Sequence, residues 1–107
     1  MKNRYSASLT NAEFASNLTK QYIKTINLLE KKKDGQVFTP LEIAKYMATM
    51  IELPENGFSL IDPGAGTGIL LAAVCDRVCD KSKKPINIEI IAYETDKNIL
   101  PYLRSSL

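Results

Sequence analysis

Apolar residues recur three and four positions apart at Phe14, Leu18, Tyr22, Ile26 and Leu29, the mark of a helix with one buried face. Directly ahead of them, Thr10-Asn11-Ala12-Glu13 has the spacing of a capping box, in which hydroxyl and carboxylate satisfy free N–H groups at a helix start. The pattern runs to about Lys33, where Lys31-Lys32-Lys33 suits the negative end of the helix dipole and Gly35 offers a stop. An extended loop, Gly35-Gln36-Val37-Phe38, leads into a second helix, with Thr39 expected at the N-cap, Pro40 at the first helical position and Glu42 at the third. Ala44, Met47, Ala48 and Ile51 form its apolar stripe, and Pro54 closes it.

The pattern then changes period. Phe58 to Ile61 is a short, nearly continuous apolar run, expected as a strand buried on both faces in a parallel sheet. A turn rich in glycine follows, then a helix expected from about Thr67 to Val78 with Ile69, Leu70, Ala73 and Val74 on its apolar face. After a charged loop from Asp80 to Pro85, the isoleucines at 86, 88, 90 and 91 predict a second strand reaching Tyr93. Strand, helix and strand in this order imply a right-handed crossover and parallel pairing. Lys97 to Leu107 begins a further helix, placed near Asn98 because Pro101 lacks the donor that a position beyond the first turn requires. The expected fold class is α/β, with two parallel strands and about four helices, ending in mid-architecture.

Composition narrows this picture only a little. The 107 residues are 45% hydrophobic and 24% charged, as in a globular protein, and the net charge of +2 gives no strong electrostatic footprint for nucleic acid. The lysines at 31 to 33 and at 81, 83 and 84 read as solvated helix ends or loops. Cys75 and Cys79 lie one helical turn apart, which is neither a redox nor a zinc spacing, and the absence of histidine leaves a zinc site without partners. They read as reduced, buried thiols. No signal peptide or membrane-length apolar run is visible, so an intracellular, cytoplasmic location without membrane attachment is expected.

Candidate chemistry sits where the first strand meets its helix, at Asp62-Pro63-Gly64-Ala65-Gly66-Thr67-Gly68. Glycines at alternate positions allow a sharp turn and close approach of a ligand to the backbone. The spacing is not the Gly-x-Gly-x-x-Gly of dinucleotide folds, and the Lys-Ser/Thr ending of a phosphate-binding loop is missing. Glu94, at the carboxyl end of the second strand, has the position of an acid that accepts ribose hydroxyls in a βαβ unit. With Asp62 it would suit a ribose and a cationic amino group better than a phosphate. Two solvated acids at loop edges are the plainer alternative, as a simple helix cap is for Thr39.

These residues also carry a family resemblance. Asp62 to Gly68 closely resembles motif I of S-adenosylmethionine-dependent DNA methyltransferases, especially the N6-adenine class of restriction–modification systems. Ile91-Ala92-Tyr93-Glu94-Thr95-Asp96 looks like motif II, and Gly35-Gln36-Val37-Phe38-Thr39-Pro40 is similar to motif X, which precedes motif I in that class. The resemblance implies a Rossmann-like class I methyltransferase sheet, of which this chain would be the N-terminal part. Residues 1–34 would then be an N-terminal helix and residues 35–107 a partial S-adenosylmethionine-binding domain. It also implies that Phe38 and Thr39 meet the methionine end of the cofactor. Asp62 and the backbone of Gly64, Ala65 and Gly66 would hold its amino-acid part and Glu94 its ribose hydroxyls, with Pro63 and Gly68 also counted among the cofactor-binding residues. The signature that grips the target adenine, Asn/Asp-Pro-Pro-Tyr/Phe, occurs nowhere in these 107 residues, so no catalytic residue is assigned. The implied partners are S-adenosylmethionine and, through parts not in this sequence, DNA. Open strand edges also leave room for a different class of protein, a non-catalytic module that pairs with itself or a second chain.

Overall fold

The computed structural model describes residues 9–28, 38–54, 56–81 and 86–107. Within them run α1 (Asn11–Leu28), α2 (Leu41–Thr49), β1 (Phe58–Asp62), α3 (Ile69–Lys81), β2 (Ile88–Ala92) and α4 (Leu100–Ser106). The strands pair in parallel, with Phe58 opposite Ile88 and Asp62 opposite Ala92. The expected α/β class, with four helices and two parallel strands among the described residues, is what forms. None of these helices is long and apolar enough to cross a membrane.

The capping box at α1 closes in both directions. Glu13 N–H donates to Thr10 Oγ1 and Thr10 N–H to Glu13 Oε1, each at 3.1 Å. Two further N–H groups of this helix start, on Asn11 and Ala12, donate to the carboxylate of Asp76 on α3 at 2.9 and 2.8 Å. At the far end of α2, the Arg77 guanidinium donates to the carbonyls of Ala48 and Ile51. Neighbouring side chains of α3 thus satisfy the start of one helix and the end of another, the groups that a helix leaves unpaired.

α3 is therefore the hub, and α1 and α2 both pack on it. Their seam is built of small residues: Ala12, Ala15, Ala44, Ala48, Ala72 and Ala73, with Ile69 and Val74. Alanines let helix backbones approach closely while still removing apolar surface from water. A second cluster, Ala65, Leu71 and Leu103, joins the glycine turn, α3 and α4 beneath Leu60, Ile90 and Ala92 of the strands.

Several expectations are corrected. Thr39 does not cap α2: Pro40 occupies the N-cap, because its carbonyl accepts the Ala44 N–H at 2.9 Å, and no side-chain cap bond forms. Glu42 is accordingly the second helical residue. Met47 is exposed, since the buried stripe of α2 narrows to Ala44 and Ala48 facing α3. β1 is not buried on both faces: Ile61 is 60% exposed, because the helices described here all lie against the other face. Cys79 is exposed and Cys75 half-buried, as the buried side of α3 runs instead through Leu71, Val74 and Val78. α3 spans two residues fewer at its start and extends to Lys81, while β2 is trimmed to Ile88–Ala92. α4 begins at Leu100, which puts Pro101 within the first turn, where its missing N–H costs nothing. The lysines at 31 to 33, 83 and 84, the Gly35 stop and the Gly35-Gln36-Val37 portion of the loop lie outside the described residues.

Candidate functional site

The two strands end side by side, and their exits are stitched together by backbone bonds. Tyr93 N–H donates to the Asp62 carbonyl and Ala65 N–H to the Tyr93 carbonyl, both at 2.9 Å. The chain then turns through Gly66, at φ +57°, and Gly68, at φ +86°, into α3, with Gly68 N–H on the Ala65 carbonyl at 2.8 Å. Positive φ is strained for residues with a Cβ, so the turn depends on glycine at these two positions.

Three separate segments converge on Gly66. Its N–H donates to Glu94 Oε1 at 2.8 Å, which draws the acid after β2 onto the turn after β1. A Cβ built on Gly66 would stand 4.0 Å from Phe38 Cδ1, so the aromatic ring ahead of α2 lines the same turn. Glu94 Oε2 meanwhile accepts the Asp96 N–H at 2.8 Å. Asp62, half-buried at the tip of β1, accepts the Gly64 N–H at 3.1 Å on Oδ1. Thr39 is half-buried beside Phe38 and Pro40.

The arrangement distinguishes the glycines. A Cβ built on Gly64 meets nothing within 4 Å, so this exposed point is open to close approach from outside, next to Pro63. A Cβ on Gly68 would lie 2.5 Å from Ser106 Oγ and 2.9 Å from Leu103 Cδ1, so Gly68 lets α4 seat on the turn. The N–H groups of Gly64, Ala65, Gly66 and Gly68 all already donate within the protein. An anion cradle works through unused N–H donors, and this turn does not present a row of them. What it offers is an approachable backbone flanked by two carboxylates and an aromatic ring, a surface suited to hydroxyls and a cationic group.

Two side chains of α1, outside these motifs, brace the turn and the loop after β2. Thr67 and Thr19, on α1, are both buried with their hydroxyl oxygens 2.5 Å apart. The Thr19 hydroxyl donates to the Ala15 carbonyl at 3.0 Å, so Thr67 is the donor to Thr19. Tyr22, one helical turn further along α1, donates its hydroxyl to Asp96 Oδ2 at 2.8 Å. From the sequence Tyr22 belongs to the packing stripe alone; the one hint of more was that a buried tyrosine needs a partner for its hydroxyl.

Comparison with known proteins matches residues 16–103 to the family described as N-6 DNA Methylase. The chain is 32% identical over 84 residues to the Type II methyltransferase M.AccI of Acinetobacter calcoaceticus, covering 78% of this chain and 14% of that protein. It is 33% identical over 73 residues to the Type I restriction enzyme EcoEI methylase subunit of Escherichia coli, covering 64% of this chain and 15% of that one. Over 41 residues it is 39% identical to the Type I restriction enzyme MjaVIII methylase subunit of Methanocaldococcus jannaschii, covering 38% and 7%. The chain thus spans about one seventh of the length of the Acinetobacter and Escherichia proteins. No solved structure matches it.

Proposed function

Since the chain belongs to the N-6 DNA methylase family, we propose that it forms the S-adenosylmethionine-binding part of a DNA adenine N6-methyltransferase of restriction–modification type, built on a Rossmann-like sheet. The observation that carries this is the convergence of Phe38, Glu94 and the Asp62 to Gly68 turn on one point, Gly66.

The residues present fit the cofactor. Glu94 spends one bond on each oxygen, and a carboxylate offers about four acceptor positions, so capacity remains for two ribose hydroxyls. The open backbone at Gly64, beside the exposed Pro63, lets the amino-acid part of the cofactor approach, and the Asp62 carboxylate attracts its ammonium group. Phe38 walls the methionine side, with the Thr39 hydroxyl, not engaged in capping α2, as donor to the cofactor carboxylate. S-adenosylmethionine supplies a methyl group on a cationic sulfur, ready for transfer to an amino nitrogen. The chain's own contribution is to bind and orient. Flipping of the target adenine and methyl transfer to it belong to the whole enzyme, with DNA as substrate.

Calorimetry of the full-length protein with S-adenosylmethionine tests the reading. Glu94→Ala should weaken binding by at least tenfold; affinity equal to that of the parent would refute the ribose assignment. A second reading, pairing with another copy or chain, is motivated by the exposed Ile61 and the open edge that each strand keeps among the described residues. Light scattering that finds a monomer at high concentration would refute it.

A further inference from the structure

α1 lies outside the glycine turn and the acid-bearing loop, yet one of its residues reaches two of the three segments that form the site. Tyr22 is only 3% exposed. Its ring meets Phe38 edge to face, with centroids 5.7 Å apart and planes at 75°, and meets Tyr102 of α4 at 5.3 Å and 70°. Its hydroxyl donates to Asp96, whose other oxygen accepts the Asn98 N–H at 2.9 Å and whose own N–H donates to Glu94. A continuous line of hydrogen bonds thus runs from Tyr22 through Asp96 and Glu94 to Gly66.

We propose that Tyr22 is a positioning residue of the cofactor site, fixing the Glu94 carboxylate through Asp96 and the ring of Phe38 through edge-to-face contact. The proposal rests on the cofactor reading given above. Its physical basis is that residues 93–96 belong to neither strand nor helix: backbone bonds hold Tyr93 and Asp96, while the Glu94 carboxylate between them is held by its bonds to the Gly66 and Asp96 N–H groups. A phenylalanine would fill the same apolar space. The hydroxyl adds a charge-assisted bond to the acid two residues beyond Glu94, and such bonds are the stronger and more directional kind. The aromatic contact in turn fixes the orientation of the ring that lines the turn, since edge-to-face geometry is a preferred arrangement.

The test uses the full-length protein and two ligands, S-adenosylhomocysteine and its 2′-deoxyribose counterpart, titrated by calorimetry. The parent should prefer the ribose compound, and Glu94→Gln should remove most of that preference. Tyr22→Phe should weaken S-adenosylhomocysteine about fivefold, less than the roughly tenfold or more that follows direct loss of a hydrogen bond to a charged group, because Tyr22 acts through Asp96; the deoxy compound should weaken much less, so the preference shrinks. Asp96→Asn, which leaves the aromatic cluster intact, should shrink it likewise, and the double variant should lose little beyond either single one. Tyr22→Phe and Asp96→Asn retaining the parent's preference, or losing both ligands equally, would overturn the positioning role while leaving the Glu94 assignment standing. A preference that survives Glu94→Gln would overturn the ribose assignment to Glu94, and the role of Tyr22 with it, whereas a parent protein that binds neither compound would overturn the cofactor reading itself.

Discussion

Gly68→Ala isolates a requirement of the fold from one of ligand binding. The new methyl would sit 2.5 Å from Ser106 Oγ and 2.9 Å from Leu103 Cδ1, both on α4 and both held in a buried cluster. Overpacking of this kind costs ~1–3 kcal/mol where neighbours must shift. Backbone strain adds to it, because φ at this position is +86°, and an L residue with a Cβ loses ~1–2 kcal/mol in the left-handed region. Against these stands the reduced freedom of alanine in the unfolded chain, worth ~0.4–1 kcal/mol. The balance is a destabilisation of about 1–4.5 kcal/mol, to be read as a lower urea midpoint at unchanged slope. Adding Ser106→Ala removes the nearer of the two clashes and should restore part of the loss, but not the part due to φ. Gly64→Ala is the control. With open space around the built Cβ and no positive φ, it should change stability by less than ~0.5 kcal/mol. Equal effects of Gly68→Ala and Gly64→Ala would refute the claim that α4 seats on Gly68.

Asp76→Ala should destabilise by about 1–2 kcal/mol by leaving the N–H groups of Asn11 and Ala12 without their acceptor, and urea unfolding that finds no change would show that the capping box suffices alone. Glu13 is held below its ordinary value of 4.5, first by the backbone hydrogen bond from Thr10 and then by the Thr10 hydroxyl. A lowered folded value means that its contribution is fully present above 4.5 and is lost as pH falls through the folded value. Carboxyl NMR titration should place the Glu13 midpoint below 4.5, and Glu13→Gln should flatten the acid side of the stability curve. Burial, then the neighbouring Cys79 and Asp76, pushes the Cys75 thiol up. Cys79, exposed on the same helix, should be alkylated first near pH 8, and mass mapping that finds Cys75 modified first would contradict the burial pattern of α3.

The sequence by itself determined the elements and the chemistry they carry. Periodicity distinguishes helices from strands because each buries one face at its own spacing, and the capping box at Thr10 and Glu13 needs only local bonds. The strand, turn and helix from Phe58 onward, and an acid after the next strand, were legible for the same reason. What only the tertiary structure decided is which side chains cross between elements. Asp76 and Arg77 serve the ends of two other helices, which no spacing within α3 could reveal. Met47 sits on an apolar stripe by sequence and Cys79 reads as a buried thiol, but both face outward, because the alanine seam brings the helices together over a narrower contact. The glycines, equivalent as a pattern, separate into an open point at Gly64, a turn beside Phe38 and Glu94 at Gly66, and a helix seat at Gly68. Tyr22, an ordinary packing residue by its period, gains a carboxylate partner far along the chain, because only the folded chain brings α1 against the loop after β2. Local pattern fixes what each segment can become, and long-range packing selects which of its groups meet.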